Sequence, residues 1–304
     1  MKALTALIEH GGERVQEHAA LGARTTYRVG GSVRALVTLH SISDVQELGP
    51  LMRSTGLALV AIGNGSNLLV DDGEHEVLAV VLEGEFTTLQ WRDDNESVIV
   101  DAGAGLALPV AARRLAREGV VGFEWAVGVP GTFGGAVAMN AGGHGSDVAA
   151  SLVHASLWHD DDVADWSNER LALGYRTSAV GQGDVVLSVT LRLTRGSASE
   201  AEERVREIVR WRREHQPGGA NGGSVFRNPA NDHAARLIEA AGCKGLREGS
   251  AQVSDKHANF IQADANGRAR DVFTLMNIVR ARVLEESGVA LVSEHRFIGF
   301  GVTP

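Results

Sequence analysis

Cysteine is almost missing from this sequence: Cys243 is the single one in 304 residues. No intrachain disulfide can form, and no cysteine-based metal cluster either. Uninterrupted apolar runs of about 18 residues are lacking too, so no transmembrane helix is expected. Positive charge is in deficit. Lys and Arg number 29 against 38 Asp and Glu, and the net charge of −9 implies no broad basic surface for nucleic acid. Local arginines and loop amides can still hold a small anion. The phosphate signature G-x-x-x-x-G-K-[ST] does not occur. No G-x-G-x-x-G opens a helix, which argues against a dinucleotide-binding Rossmann unit. The first residues, MKALTALIEHGGERV, combine a short apolar part with early acids. That is not the pattern of a secretory signal, and a cytoplasmic location is the default expectation.

Glycine, by contrast, is plentiful and clustered. Residues 127–145 read VGVPGTFGGAVAMNAGGHG, with Gly128, Gly131, Gly134 and Gly135 around Pro130, then Gly142, Gly143 and Gly145. Glycine permits close approach to the backbone at an entropic cost. Val127, Val129, Phe133, Val137 and Met139 interleave with the glycines, whereas a solvated linker would carry Ser, Glu and Lys. Bare main-chain N–H groups in such a loop can cradle an anion such as a pyrophosphate. A second glycine-rich turn, Gly63-Asn64-Gly65-Ser66-Asn67-Leu68-Leu69-Val70, runs on into more strand. A simple hairpin turn explains it equally well by itself. The two loops together could clamp one extended, phosphate-bearing cofactor.

The periodicity predicts a helix over 1–20 with Leu4, Leu7, Ile8 and Val15 apolar, and a strand over 25–31 entering a tight turn at Gly30-Gly31. Strands are expected at 35–39, 57–62, 77–82, 86–91, 98–102, 151–158 and 258–263. Another is expected over 185–193, where Val185, Leu187, Val189, Leu191 and Leu193 alternate with polar residues. Ser43 with Gln46, and Ser199 with Glu202, read as capping boxes opening helices. Leu108, Ala111, Ala112, Leu115 and Ala116 fall on one helical face, as do Val272, Leu275, Met276, Val279 and Val283 in a long helix near the end. Pro217 stops a charged helix. A flexible glycine-rich loop then presents Ser224-Val225-Phe226-Arg227-Asn228-Pro229, followed by a helix at about 234–241. Asp160-Asp161-Asp162 fits a solvated hairpin tip better than a metal site, and no metal is expected.

Several stretches, in order, resemble one family: TTYRVGG (25–31), GNGSNLLV (63–70), GVPGTFGGAVAMNAG (128–142), GYRTS (174–178), GSVFRNP (223–229), SDKHANFI (254–261) and EHRFIG (294–299). Across nearly its whole length the chain is similar to the UDP-N-acetylenolpyruvoylglucosamine reductases, flavoenzymes that make UDP-N-acetylmuramate for peptidoglycan. The resemblance implies an α+β chain with an FAD-binding fold of the vanillyl-alcohol-oxidase (PCMH) type. Two α+β subdomains, 1–84 and 85–197, would hold non-covalent FAD, and a C-terminal α+β substrate-binding domain, 198–304, would close over the substrate. The extreme C-terminus would return to the FAD domain.

The resemblance also implies a two-stage reaction. NADPH reduces FAD and leaves. The enolpyruvyl ether of UDP-N-acetylglucosamine then takes its place and is reduced. The catalytic positions carry over as Arg176, Ser224 and Glu294. Hydride adds to the terminal carbon of the double bond, and negative charge develops at the adjacent carbon and on the carboxylate. Arg176 and a protonated Glu294 would stabilise that charge. Ser224 would protonate the α-carbon from a water-excluded site. For Glu294 to act protonated, its surroundings must raise its pKa. Cofactor contacts are expected at Tyr27, Gly63, Asn64, Gly65, Ser66, Asn67, Leu68 and Gly103. They are also expected along Val129, Pro130, Gly131, Thr132, Gly134 and Gly135, with Asn140 nearby. Arg176, Arg227 and Asn228 are the expected substrate contacts.

Two departures stand out. Many members carry Lys at the position of Arg227. The segment after Ser178 is too short for the extra loop whose tyrosine covers the substrate in longer members, so the chain resembles the shorter subtype. For the substrate diphosphate, Arg212, Arg213 and His215 remain open candidates. A same-fold oxidase is one alternative, but many of those attach FAD through a histidine near the first glycine loop, and 63–70 contains none. A non-catalytic nucleotide-binding protein is another, with no use for Arg176, Ser224 and Glu294 together. The expected partner is a small molecule, with neither nucleic acid nor membrane.

Overall fold

The strand with the cleanest alternation in the sequence becomes the axis of the largest sheet. In a computed structural model that describes residues 2–301, Val185–Arg195 pairs antiparallel with Leu152–His159 on one side and Ser97–Gly103 on the other. Asp162–Ser167 and Leu89–Asp94 extend the two edges, and Val120–Val121 joins the far end. Val185, Leu187, Val189, Leu191 and Leu193 are all buried, but a register shift against Leu152–His159 divides them: Val189, Leu191 and Leu193 join one core with Val186, and Val185 and Leu187 join another with Trp158. Helix Leu108–Arg117 lays its predicted stripe, Leu108, Ala111, Ala112, Leu115 and Ala116, into the core with Phe123, Trp125 and Phe133. Its Arg113, Arg114 and Arg117 face water.

The chain forms two compact units. The first comprises Met1–Glu17, Arg34–Asn64 and Glu76–Arg212, the second His18–Val33, Gly65–His75 and Arg213–Pro304. The division passes through the GNGSN turn, between Asn64 and Gly65. A four-stranded sheet runs in the order Val15–Ala19, Ser32–Leu39, Glu74–Leu82, Ala58–Ile62, and its last pair is parallel. Helix Ile42–Ser54 covers part of it through Val45, Leu48 and Met52.

The second unit is built on helix Ala269–Ser287. Its predicted stripe, Val272, Leu275, Met276, Val279 and Val283, is buried, in one core with Ala251, Val253 and Ile261 of a small three-stranded sheet. Leu68–Val70 pairs in parallel with Arg296–Ile298. Asp71 receives both Arg270 Nε and Nη2 at 2.9 Å, and Asp72 accepts the first-turn amides of Ala269 and Arg270 at 3.1 and 3.2 Å. Asp72 therefore serves as a cap delivered from elsewhere in the chain. Asp72→Ala should destabilise the unit by about 1 kcal/mol, as loss of an N-terminal cap does. Faster hydrogen exchange at Ala269 and Arg270 than at mid-helix amides is the measurement.

Several expectations are corrected. The first helix ends at Gly11, because Gly12 takes φ +54° and Val15–Ala19 is a strand. Residues 25–31 form no strand; a short helix, Leu21–Arg24, leads into a turn in which Arg28 has φ 57°. Gly84–Thr87 is a 3-10 turn, so the strand expected at 86–91 starts at Leu89. The first capping box is Ser41 with Asp44, two residues before the expected one, and Ser197 accepts from Glu200 N at the start of Ala198–His215. The glycine-rich stretch contains a helix, Phe133–Met139, ended by Asn140 in the left-handed region. Only Ile261–Ala263 of the strand expected at 258–263 is extended. No helix among the described residues is long and apolar enough to cross a membrane.

Candidate active site

In the first unit the two glycine loops meet. Asn64 Nδ2 donates to Pro130 O at 3.1 Å, and a Cβ on Gly63 would lie 2.3 Å from Thr132 Oγ1. Only glycine at 63 permits that approach. Leu108 N donates to Gly131 O at 3.0 Å, while Phe133 N and Gly134 N donate to Leu106 O and Ala104 O at 3.1 and 2.8 Å. These bonds fix the start of the short helix against the sheet. The result is a narrow slot of about 70 Å³ walled by Ile62, Gly63, Gly105, Thr132, Gly134 and Gly135, with Asp184 among its few polar members. A Cβ on Gly135 would meet nothing closer than Thr132 Oγ1 at 3.9 Å, and so would project into open space beside the wall. Bare backbone facing a thin gap fits a flat ring or a diphosphate. Gly103 does something different: a Cβ there would sit 2.1 Å from Phe86 O, so it serves packing behind the slot.

A second hollow, about 450 Å³, is lined by Asn140, Gly142, Gly143, Ser146, Tyr175 and Arg176 among others. Arg176 has φ 58°, in the turn closed by Gly174 and Thr177, and its Nη2 lies 3.4 Å from Gly142 O. A non-glycine residue held there marks a place where structure around it imposes the conformation. Asn140 is buried and fully engaged. Its Nδ2 donates to Asp147 Oδ2 and Gly174 O at 3.2 and 3.1 Å, and its Oδ1 accepts from Ala149 N at 3.0 Å. It ties the helix end to the Arg176 turn. Ser178 Oγ adds a bond to Ala138 O at 2.9 Å.

In the second unit, residues far apart in sequence are paired. Phe226 and Ser293 form an antiparallel bridge, with Glu294 N donating to Val225 O at 2.8 Å and Arg227 N to Val292 O at 2.9 Å. Ser224 and Glu294, both half-buried, thus lie on neighbouring extended segments. Arg176 belongs to the first unit. Asn259, which sequence reasoning passed over inside SDKHANFI, clamps this pair from behind. Its carbonyl accepts Val225 N at 2.9 Å, its Oδ1 accepts Phe226 N at 3.0 Å, and its Nδ2 donates to Phe226 O at 2.8 Å. Asn67 clamps the other segment, with Nδ2 on Glu294 O and its own carbonyl accepting Arg296 N, both at 2.9 Å. Buried amide side chains are the only sequence signal for such clamps, and one sequence does not reveal burial.

Other expected contacts are placed as follows. Tyr27 is fully buried in the second unit's core, where its hydroxyl meets His295 Nε2 at 2.9 Å. Leu68 is buried in its strand, while Gly65 approaches Thr25 Cα to 2.7 Å if given a Cβ. Asn228 Oδ1 accepts Ala234 N at 3.0 Å, which supports the start of helix Ala234–Ala240. Arg227 is half-buried. Arg212 is half-buried, and burial pulls its pKa down. Arg213 and His215 are exposed. Among the described residues no group of His, Cys, Asp and Glu could hold a metal ion.

Burial holds the pKa of His295 at about 4, against an ordinary 6.5. The native chain therefore keeps His295 neutral where the unfolded chain takes up a proton. Stability is complete above about pH 6.5 and falls as the pH drops toward 4, by roughly 3 kcal/mol from this group alone. The urea midpoint of wild type should fall more steeply than that of His295→Leu as the pH is lowered between those values.

Comparison with known proteins identifies the family. Residues 215–298 match the family described as UDP-N-acetylenolpyruvoylglucosamine reductase, C-terminal domain, and residues 33–160 match an FAD binding domain. The UDP-N-acetylenolpyruvoylglucosamine reductase of Rubrobacter xylanophilus is 38% identical over 277 residues, covering 90% of this chain and 92% of its own. That of Halalkalibacterium halodurans is 35% identical over 295 residues, 96% of each. The crystal structure of UDP-N-acetylenolpyruvylglucosamine reductase from Thermus caldophilus superimposes with a TM-score of 0.80 at 35% identity, covering 94% of this chain and 99% of the other. With relatives this similar along almost the full length of both partners, the chain belongs to the UDP-N-acetylenolpyruvoylglucosamine reductase family.

Proposed function

We propose that this chain is the NADPH-dependent flavoenzyme that reduces UDP-N-acetylglucosamine enolpyruvate to UDP-N-acetylmuramate, a step of peptidoglycan precursor synthesis. The observation that carries it is the full-length similarity to enzymes of that name, 35% identical over 96% of both chains in one case. FAD, when bound, supplies the hydride for the enolpyruvyl double bond. The functional division is then 1–84 and 85–197 for FAD and 198–304 for the substrate, and the enzyme works on a small molecule in the cytoplasm without nucleic acid or membrane.

On this reading Gly63, Asn64, Pro130, Gly131, Thr132, Gly134 and Gly135 hold the cofactor through close backbone approach. Gly65, Ser66 and Asn67 continue the same turn, and Val129 flanks it. Tyr27, Leu68, Gly103 and Asn140 are all buried, so their part is structural rather than a side-chain contact with the ring. Arg176 offers a guanidinium to the substrate carboxylate as charge builds there. Glu294, protonated, donates a hydrogen bond to the same developing charge, and Ser224 delivers the proton to the α-carbon. A serine is a weak acid in water and needs a site that excludes it. The bridge at Phe226 and Ser293 supports Ser224 and Glu294 acting together, because their segments share one set of backbone bonds. Arg227 and Asn228 follow Ser224 directly and are the proposed substrate contacts.

The test is direct. Purified protein should carry flavin absorbance and oxidise NADPH beyond one equivalent per flavin only when the enolpyruvyl nucleotide is present. A colourless protein, or NADPH oxidation indifferent to that substrate, would falsify the proposal.

A further inference from the structure

Tyr27 and His295 form a buried pair whose polar atoms take no step of the proposed reaction. Tyr27 is 0% exposed and His295 4%, and their polar atoms lie 2.9 Å apart. Gly222 is pressed against both: a Cβ there would come within 2.5 Å of Tyr27 Cε2 and 2.6 Å of His295 Nε2. The Gly222 N–H also bonds the phenol oxygen. With that N–H accepted, the arrangement leaving fewest groups unmatched has the phenol donating to Nε2. The proton of the imidazole then sits on Nδ1, which is buried without a hydrogen-bond partner.

A buried polar pair with one unmatched nitrogen gains little stability, and two apolar side chains of similar shape would serve packing as well. Its location is more telling. His295 directly follows Glu294, and Gly222 lies two residues before Ser224. Continuing the register of the Phe226–Ser293 bridge sets Ser224 opposite His295. One ring system therefore touches the chain just before the proposed proton donor and just after the proposed acid.

We infer that the Tyr27–His295 pair is a positioning device for substrate reduction, holding Gly222 and residue 295 in fixed relation so that Ser224 and Glu294 keep their alignment. Neither side chain touches the substrate. The inference rests on the roles proposed above for Ser224 and Glu294. A tilt of either segment changes where a proton is delivered, and small misplacements lower rates steeply without weakening binding to the same degree.

The experiment uses the full-length FAD-bound protein with Tyr27→Phe, His295→Leu and the double variant. Stopped-flow absorbance separates flavin reduction by NADPH from flavin reoxidation by the enolpyruvyl nucleotide. The expected result is that each single change lowers the ratio of reoxidation rate to reduction rate about tenfold. KM for the nucleotide should stay within about twofold, and the double variant should lose less than the product of the two singles. The inference is overturned if both singles keep the wild-type ratio. It is equally overturned if both half-reactions and the melting temperature fall together, since that is a packing defect. Ser224→Ala, run beside them, separates the two layers. If it reoxidises normally, the proposed role of Ser224 is wrong; if it does not, and the pair variants do, only the positioning inference is wrong.

Discussion

Ser224→Ala reoxidises its flavin with the enolpyruvyl nucleotide about a thousandfold more slowly than wild type, the scale of a lost general acid, while NADPH reduces that flavin at an unchanged rate. The split follows from where Ser224 sits. Its backbone neighbours are fixed by Asn259 and by the segment through Ser293, so removing one oxygen leaves the bridge intact. The hydroxyl is half-buried and supports no structural bond among the described residues, so folding and cofactor retention should not change. What is lost is the proton for the α-carbon. Product formed at more than a tenth of the wild-type rate would show that another group, or solvent, delivers it. A parallel loss in flavin reduction would instead assign Ser224 to holding the cofactor.

Gly135→Leu gives a folded protein without its colour. Position 135 lies inside helix Phe133–Met139, where replacing glycine favours the helix by roughly 0.5–1 kcal/mol. The new Cβ meets no atom of the protein closer than 3.9 Å, so the fold has no reason to object. The side chain instead enters the slot beside Gly63 and Thr132. Cofactor affinity should drop at least a hundredfold, the cost of about 3 kcal/mol of overlap and lost contacts. Flavin absorbance after gel filtration, read beside the far-ultraviolet circular dichroism, measures both halves. A yellow Gly135→Leu protein would remove the slot from the cofactor site.

Much of the scaffold could be read from periodicity. The apolar stripes at 108–116 and 272–283 each specified a buried face, and the structure buries those faces; the alternation over 185–193 marked a strand, but a register shift buries its start on the other side. Local chemistry was misread where two patterns competed. The apolar spacing of Leu4, Leu7 and Ile8 suggested a helix through residue 20, but Gly12 in the left-handed region ends it and Val15 opens a strand. The glycines at 134 and 135 looked like loop, yet backbone bonds from Phe133 and Gly134 to Leu106 and Ala104 seat the start of a helix there. Residues 25–31, rich in β-prone types, fold into a turn that buries Tyr27 against His295. The motifs named the site residues that the family uses. They could not name Asn259, Asn140 or Asn67 as clamps, because a clamp is defined by partners that only folding supplies.

The parallel strand Leu68–Val70 has a further consequence for how the enzyme is made. Its partner, Arg296–Ile298, leaves the ribosome long after it. Throughout that interval an apolar edge of Leu68, Leu69 and Val70 has no native neighbour, and such edges recruit other chains. Premature termination anywhere before residue 296 should therefore yield aggregation rather than a half-active protein, and the segment bearing Glu294 is seated only once its neighbours at 296–298 have been made.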